Sequence, residues 1–454
     1  MSSITSLAAE ILARCDTVAS YSEEAGCIKR TFLCEPMHGV HACLSGWMAA
    51  AGMHVRLDPI GNLIGRYPAA TENAPVFLIG SHLDSVPNAG RYDGVLGVLL
   101  GVAAVQALAG RRVPFAVDVI GFCEEEGVRF RTPYLGSRAV CGCFDADLLK
   151  LVDDNNVSLA DVIRRFGLDP DHVSQAAYHG ECVLGYLEAH IEQGPVLEAL
   201  GLPVGIVEAI VGQSRLWLRF QGKAGHAGTL PMECRQDALT AAAAFVLEVE
   251  RQARSVNGLR GTVGALAVEP GAANVVPGSV RLSLDLRHAV DAIREKAVAG
   301  LLQRAETIAS ERGVRFAIEA VEHHAAVPAD QELTQRLAAA VSAAGQPVQR
   351  LVSGAGHDAA VMASLAPMAM LFLRSPGGIS HHPDEAVFHD ALEAALAELP
   401  SEQRAVVHLK AWGGLTFEEI AESLGISPNT AASRYRYGLD KLRDRLRPLY
   451  DEIK

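Results

Sequence analysis

Histidines and carboxylates recur in five short segments of this sequence, a pattern that suits metal ligation. The segments are GSHLDSV (80–86), GRYDG (90–94), CEEEGVRF (123–130), YLEAHIEQG (186–194) and GGISHHP (377–383). Three of their histidines and two or three of their carboxylates form a ligand mix that zinc and manganese both accept. His82 and Asp84 are two residues apart at a strand end, so Asp84 is placed to accept the second ring N–H of a metal-bound His82. The sequence therefore predicts a site for two divalent cations, zinc or manganese.

The elements that must position these residues alternate between helices and apolar strands. Residues 1–60 are predicted to be largely helical, and short strands are predicted at 62–67, 76–79 and 115–122. The acidic run 124–126 follows the last strand, and three adjacent carboxylates repel one another unless a cation or solvent relieves them. Uniformly apolar strands alternating with helices predict an α/β domain with a mixed, largely parallel sheet covered on both faces.

A different pattern interrupts this α/β domain. Its predicted elements are strand 216–221, helix 237–253, strands 261–268 and 280–287, helix 292–312 and strand 314–320. The order β-α-β-β-α-β is that of a ferredoxin-like α+β domain. The α/β pattern then returns with a strand at 368–373 and a helix at 386–399, before an all-helical tail. The predicted domains are a split catalytic domain (1–212 and 325–399), an inserted lid or dimerisation domain (213–324) and an all-α tail (400–454).

The composition limits the class of protein and its compartment. With 49% hydrophobic residues, 20% charged residues and a net charge of −13, the chain is neither disordered nor a general binder of nucleic acid. The nine cysteines are odd in number and form no CxxC pair, which argues against a disulfide scaffold. The apolar segment 95–109 is shorter than the roughly 20 residues of a membrane span and predicts a buried helix. A cytoplasmic protein without membrane contact is expected.

Eight motifs, in order along residues 5–399, resemble the dinuclear amidohydrolases of the aminoacylase/carboxypeptidase superfamily. This group includes allantoate amidohydrolase, N-carbamoyl-L-amino-acid hydrolase and β-ureidopropionase. The motifs are GSHLDSVPNAGRYDGVLGV, CEEEGVRF, LGSR, YLEAHIEQGPVLE, GKAGHAGTLPM, PGAANVVPGSVRLSLDLRH, SGAGHDA and GGISHHPDEAV. The resemblance implies a metal-dependent hydrolase that cleaves a ureido or amidino C–N bond.

The resemblance also implies a role for each residue of the site. One cation is held by His82, Asp93 and His190, and the second by Asp93, Glu126 and His381, so that Asp93 bridges them. Two cations about 3.5–4 Å apart lower the pKa of a shared water. Glu125 is then the general base and later the acid, and Glu124 a bystander. His226 stabilises the oxyanion in the active site of the partner subunit, which implies a homodimer formed through the inserted domain.

A small substrate with a carboxylate follows from the same resemblance. Arg287 and Asn274 grip that carboxylate, and the other substrate-contacting positions are Gln193, Gln213, Gly356 and His357. The segment around His381 favours allantoate. The alternatives are N-carbamoyl-L-amino acids or the substrate of a β-ureidopropionase. The role of His382, where many relatives have Asn or Ser, stays open.

The tail carries the signals of a helix-turn-helix. Thr416 is a helix N-cap candidate, Gly425 ends that helix, and Pro428 lies at the start of the next one. Residues on the second helix that are suited to DNA contacts are Asn429, Thr430, Ser433, Arg434 and Arg436. The segment resembles region four of extracytoplasmic-function sigma factors. Two alternatives stay open: a module that binds DNA or RNA polymerase, or an appendage from a gene fusion or frame error. The first gives the enzyme a rival, a ureide-sensing DNA-binding regulator.

Overall fold

A computed structural model of the chain describes residues 4–178, 182–388 and 390. The described residues form two compact units. Unit 1 comprises Met1–Glu208, Ala329–Leu351 and the described chain from His357 onward, and unit 2 comprises Ala209–Pro328 and Val352–Gly356. The predicted tail lies outside the described residues, as do its candidate DNA contacts Asn429, Thr430, Ser433, Arg434 and Arg436.

Unit 1 combines helices with one large sheet. Its α-helices are α1 (Ile4–Ala19), α2 (Met37–Ala50), α3 (Val95–Ala107), α4 (Leu135–Val140), α5 (Leu159–Arg165), α6 (Val196–Leu200), α9 (Gln331–Ala343) and α10 (Asp358–Met362). The strands of its sheet are β1 (His54–Leu57), β2 (Leu63–Tyr67), β3 (Val76–His82), β4 (Ala116–Phe122), β5 (Val183–Ile191), β6 (Val204–Ile210), β14 (Val327–Pro328), β15 (Arg350–Ser353) and β16 (Met368–Leu373). Of these strands, β14 consists of residues of unit 2, and β6 and β15 end in residues of unit 2.

The sheet is mixed, with parallel strands at its centre. Its order is β1-β2-β4-β3-β5-β16-β6-β14, and β15 also pairs with β6. Strands β4, β3, β5 and β16 run parallel to one another, and the flanking pairs with known register are antiparallel. Every residue of β4 and β16 is buried, as expected for strands covered on both faces. The predicted α/β class with a mixed, largely parallel sheet is therefore confirmed.

Helix α3 directly follows the loop that carries Asp93 (residues 90–94) and is the most apolar helix of unit 1. It carries no charged residue, and ten of its residues are buried against β3, β4, β5 and α1. Because an all-round apolar helix is stable only when neighbours cover it, the run 95–107 fixes the loop before it against the sheet. Among the described residues, no helix has both the length and the apolar character to cross a bilayer.

Unit 2 has a separate core. Its helices are α7 (Ala238–Ser255) and α8 (Asp291–Glu311), and its strands are β7 (Gly212–Gln221), β8 (Gly225–His226), β9 (Arg260–Thr262), β10 (Leu266–Glu269), β11 (Val275–Val276), β12 (Ser279–His288) and β13 (Arg315–His324). The main sheet has the order β10-β12-β7-β13 with β9 beside β12, and it is antiparallel. Alternate residues of β7 and β12 are buried and pack with the two helices.

Three of the sequence predictions for secondary structure differ from the observed elements. The single strand predicted at 261–268 is two strands, β9 and β10, which both pair with β12. The chain has a strand, β1, within the N-terminal region predicted to be helical. Residues 386–388, placed at the start of a predicted helix, are not helical, and 391–399 lie outside the described residues.

Candidate metal centre and active site

The predicted metal ligands of unit 1 lie at the carboxyl ends of its parallel strands. His82 is the last residue of β3, and His190 is the last but one of β5. Glu125 and Glu126 follow β4, while His381 lies in the loop that follows β16. The carboxyl ends of parallel strands meet at one edge of the sheet, which is where α/β proteins bind their ligands.

The first cluster consists of His82, Asp93 and His190, all buried. Asp93 Oδ1 lies 3.6 Å from His82 Nε2 and 3.2 Å from His190 Nε2. The two Nε2 atoms are 3.5 Å apart. Three potential ligand atoms therefore converge on one point, within 4.8 Å of one another.

The second cluster uses the other oxygen of the same carboxylate. Asp93 Oδ2 is 3.4 Å from His381 Nε2, which lies 3.5 Å from Glu126 Oε1. The His381 side chain is 49% exposed, whereas His82 and His190 are only 2% exposed. The second cluster is thus the more open one, and Asp93 faces both.

The polar atoms of these clusters fit divalent cations. Asp93 Oδ1 is buried and has no hydrogen-bond partner among the residues that the structure describes, a costly arrangement for a carboxylate oxygen unless a cation satisfies it. Burial raises the pKa of Glu125 well above its usual value and raises that of Glu126 to about 7. Positive charge at the site would favour the ionised forms of both carboxyls. Neutral imidazole nitrogens and carboxylate oxygens are ligands of zinc and manganese.

Main-chain carbonyls, rather than a carboxylate, orient the two buried imidazoles. His82 Nδ1 lies 3.0 Å from the backbone oxygen of Asp84, and His190 Nδ1 lies 2.9 Å from that of Ile191. The predicted partner of His82, the Asp84 carboxylate, is farther away at 3.7 Å. That carboxylate instead accepts the backbone N–H groups of Glu125 and Glu126, each at 3.0 Å. Asp84 therefore holds the loop of the proposed base as well as the first histidine.

The buried carboxylate of Glu124, the glutamate expected to be a bystander in catalysis, organises the same loop. It accepts the N–H groups of Arg129 at 2.9 Å, Phe130 at 3.2 Å and Phe32 at 3.0 Å. Burial, with the charge of Asp84 nearby, raises the pKa of Glu124 to about 8. The three adjacent glutamates thus lie in three different environments. Of the three, Glu125 and Glu126 place carboxylate oxygens among the candidate metal ligands.

Gly94, between Asp93 and α3, leaves room for His82. It has φ +70°, and a Cβ added there would lie 2.5 Å from the His82 ring. We expect Gly94→Ala to displace this ring, to weaken binding of the first cation and to lower the free energy of unfolding by more than about 1 kcal/mol. Manganese titration and chemical denaturation measure the two effects.

Gly110→Ala is the matched control, because Gly110 has φ +83° but open space around it. Equal cation affinity in the two variants would contradict this role of Gly94.

Two polar side chains hold the second oxygen of Asp93. Gln193 Nε2 donates to Asp93 Oδ2 at 3.1 Å and to Ser380 Oγ at 3.0 Å. The Ser380 hydroxyl donates to the same Asp93 oxygen at 3.1 Å. Gln193, predicted to contact substrate, is therefore placed beside the bridging carboxylate. His382 turns away to Asp384, whose N–H donates to its Nδ1 at 3.2 Å.

His357 lies against a metal-ligand candidate. Its ring packs edge-on to that of His190, with centroids 4.5 Å apart, and it is fully buried. Burial and the nearby His190 hold the pKa of His357 well below its usual value. Glu188, which the sequence did not single out, accepts the Ser81 hydroxyl at 3.0 Å and the Ala359 N–H at 2.9 Å. It ties the end of β3 to the segment that follows His357.

In unit 2, the structure brings together Arg287 and Gln213, two of the predicted substrate contacts. They are opposite each other in the β12–β7 pair. Asp285 accepts from Arg287 Nε at 2.9 Å and from Gln213 Nε2 at 2.6 Å. Burial opposes ionisation of Asp285, but its bonds and charge interaction with Arg287 hold its pKa below the usual value. Arg287 also donates from a terminal nitrogen to the Gly354 carbonyl at 2.7 Å. The sequence did not single out Asp285.

His226 and Asn274 form a second pair in unit 2. His226 in β8 is opposite Val275 in β11, and the Asn274 carbonyl accepts the N–H of Ala227 at 2.9 Å. The N–H of Gly228 donates to His226 Nδ1 at 3.1 Å. A neutral His226 therefore carries its proton on Nε2, and its exposed ring is a hydrogen-bond donor. Gly356 is exposed in the loop before α10.

Known proteins are similar to this chain over most of its length. It is 38% identical over 421 residues to a probable allantoate deiminase of Oryza sativa subsp. japonica, covering 85% of this chain and 86% of the relative. It is 43% identical over 346 residues to an N-carbamoyl-L-amino acid amidohydrolase of Geobacillus stearothermophilus, covering 75% and 84%. A crystal structure of a hydantoinase/carbamoylase family amidase from Burkholderia multivorans superposes with a TM-score of 0.81 at 30% identity, covering 86% and 96%.

Two family descriptions match separate parts of the chain. Sigma-70, region 4, matches residues 389–442, which agrees with the resemblance of the tail. Peptidase family M20/M25/M40 matches residues 78–399, a range that contains every predicted ligand and the base. Because this match spans more than half of the chain and agrees with relatives along most of its length, the chain belongs to peptidase family M20/M25/M40.

Proposed function

We propose that the chain hydrolyses a C–N bond in the ureido or amidino group of a small carboxylate, with two divalent cations, zinc or manganese, at its active site. Allantoate is the favoured substrate, and the alternatives are N-carbamoyl-L-amino acids or the substrate of a β-ureidopropionase. The names of the relatives support both choices. The observation that carries the proposal is the position of Asp93, whose two carboxylate oxygens face two separate groups of ligands.

The proposed roles follow from the contacts around the clusters. His82, Asp93 and His190 would hold one cation, and Asp93, Glu126 and His381 the other. Divalent cations supply Lewis-acid chemistry and make a bound water more acidic. Glu125 is buried and held by its N–H bond to Asp84, and it is placed to take a proton from the attacking water and pass it to the leaving nitrogen.

Binding of the substrate carboxylate is assigned to unit 2. Arg287 offers a planar fork of N–H groups that Asp285 already orients, and Asn274 supplies a further polar side chain. Gln213 shares the carboxylate of Asp285 with Arg287. Gly356 and His357 are proposed to contact the ureido end of the substrate. Gln193 is proposed to do so as well, in addition to its bond with Asp93.

Unit 2 is proposed as both lid and dimerisation domain, with a ferredoxin-like core. In this proposal the partner subunit's His226 stabilises the oxyanion formed during hydrolysis. The Nε2–H that its bond with Gly228 imposes is the donor that such a role requires.

A mixing experiment tests whether the partner subunit supplies His226 to the site. His226→Ala and Glu125→Gln are each expected to be inactive alone, because each removes one part of every site. After the two variants are mixed under conditions that exchange subunits, half of the dimers are mixed, and each has one complete site. We expect about a quarter of the wild-type turnover to return. The matched control mixes Glu125→Gln with Asp93→Asn. Both changes lie in the part of the site that one chain supplies, so every mixed dimer has two defective sites and no recovery is expected. No recovery in the first mixture, when differently tagged subunits are shown to have exchanged, would contradict donation of His226 across the dimer.

A substrate panel tests the proposed reaction. Protein loaded with manganese or zinc is incubated with allantoate and with N-carbamoyl-L-amino acids of different side chains. Release of ammonia and formation of free amino acids are measured. Turnover of one class at least tenfold above the other assigns the substrate, while absence of turnover with both classes, in protein that holds two cations, would refute the proposal.

The tail gives a second candidate activity, binding to DNA or to RNA polymerase. The match of residues 389–442 to Sigma-70, region 4, favours it. Residues 400–454 contain nine Lys+Arg and eight Asp+Glu, so the negative charge of the chain lies in residues 1–399. A DNA mobility shift that weakens with salt and disappears on truncation after Leu399 would support this activity, and no shift at low salt would refute DNA binding. A regulator that only senses ureides is not favoured, because the site retains both the ligands and Glu125.

A further inference from the structure

Glu385 grips the backbone of the Asp93 loop from a distant part of the chain. Its Oε1 accepts the N–H of Tyr92 at 2.8 Å and the N–H of Asp93 at 3.1 Å, across a separation of 292 residues from Asp93. The side chain is buried, with 4% exposure. Hydrogen bonds from backbone N–H groups to a carboxylate are among the stronger ones in proteins, so this contact fixes the position of the loop.

The loop is shaped to receive this side chain. A Cβ added at Gly90 would overlap Glu385, so a glycine is required where the two segments meet. Two residues after Glu385, the buried Val387 joins the main core of unit 1. The segment 385–387 is therefore held on one side by the core and on the other by the Asp93 loop.

The same segment carries the least constrained ligand of the proposed site. His82 and His190 lie on strands in the middle of the sheet, whereas His381 lies on an irregular loop and is half exposed. Only three residues separate His381 from Glu385. The bonds of Glu385 to Tyr92 and Asp93 thus set the position of His381 relative to Asp93. The hydroxyl of Ser380, the residue before His381, donates to the Asp93 side chain and adds a second link.

We propose that Glu385 is a positioning residue that docks the His381 loop onto the Asp93 loop and so maintains the second cation site. The inference rests on the proposed two-cation function. The first cation site does not depend on this docking in the same way, because two of its three ligands are fixed by strands β3 and β5. Loss of Glu385 should therefore weaken binding of the second cation much more than binding of the first.

The test is a manganese titration of the full chain and of the variants Glu385→Ala and Glu385→Gln. We expect the second cation to bind about 10- to 100-fold more weakly in Glu385→Ala, with the first affinity nearly unchanged. Glutamine keeps an acceptor oxygen but loses the charge, so Glu385→Gln should show a smaller loss in the same direction. Turnover of both variants should return toward the wild-type level as manganese is raised. Asp384→Asn is the matched control, since Asp384 is exposed on the same loop and its carboxylate lies 3.6 Å from the His382 ring.

The outcomes separate the inference from the function on which it rests. If wild-type protein binds fewer than two cations, the proposed function fails. If wild-type protein binds two and Glu385→Gln binds both with unchanged affinity, the positioning role is wrong. Equal weakening of both cations, together with a lower unfolding midpoint of the metal-free variant, also overturns it, because that result describes a general loss of structure. Should Glu385→Ala fail to fold, the glutamine variant alone decides.

Discussion

Glu125→Gln is expected to lower turnover by about 10²- to 10⁴-fold while both cations stay bound. An amide of the same shape cannot take a proton from water, so the chemical step loses its base and its later acid. The backbone N–H of Glu125 still donates to Asp84, since the substitution leaves the main chain intact. The measurement is kcat for the preferred substrate, with bound metal counted in the same sample.

Glu124→Gln is the matched control, because it makes the same chemical change one residue earlier. The Glu124 carboxylate accepts three backbone N–H groups, and an amide nitrogen would face at least one of them. We expect that variant to lose about 1–3 kcal/mol of stability and to keep its turnover per folded molecule. Loss of turnover in Glu124→Gln with retention in Glu125→Gln would reverse the assignment of the base.

Asp93→Asn is expected to reduce the bound cations from two to at most one and to abolish measurable turnover. One carboxylate oxygen faces His82 and His190, and the other faces His381. An asparagine presents a single oxygen, so it cannot serve both groups, and its amide nitrogen would face the other. The loss of affinity for at least one cation should exceed the roughly 100-fold limit of changes in outer residues. Metal analysis after dialysis and a manganese titration give the two quantities.

Asp16→Asn serves as the control for loss of an acidic residue near this loop. Asp16 is exposed and pairs with Arg91, two residues before Asp93. Such an exposed ion pair contributes little, so cation content and turnover should stay at wild-type levels. If Asp93→Asn retained two cations at unchanged affinity, the bridging role of Asp93 would be wrong.

Much of the fold follows from patterns that act locally. The almost wholly apolar run of α3 and the uniformly buried strands β4 and β16 predict a covered α/β sheet, because parallel strands covered by helices on both faces have such runs. Strand β5 was missed, because its polar residues Glu188 and His190 obscure the strand pattern. They are buried by the site itself, which a local pattern does not reveal.

The residues of the site likewise divide into those that local motifs predict and those whose role depends on partners far away in the sequence. The motifs predict His82, Asp93, His190 and His381 as ligands, and the structure brings all four together. The carboxylates that hold loops could not be predicted, since Glu385 and Asp285 are recognised only by the partners that folding brings to them. Nor does the sequence separate His381 from His382. The left-handed backbone of His381, with φ +55°, sends adjacent side chains in different directions, one to Asp93 and one to Asp384.

The most direct test of the two-cation hydrolase is turnover measured against cation equivalents. Metal-free protein is titrated with manganese while bound cation and hydrolysis of the preferred substrate are followed together. We expect two cations to bind per chain and turnover to reach its maximum only as the second site fills, because Asp93, Glu126 and His381 complete the site. Full turnover in the presence of a strong chelator, with no cation bound, would contradict the proposal.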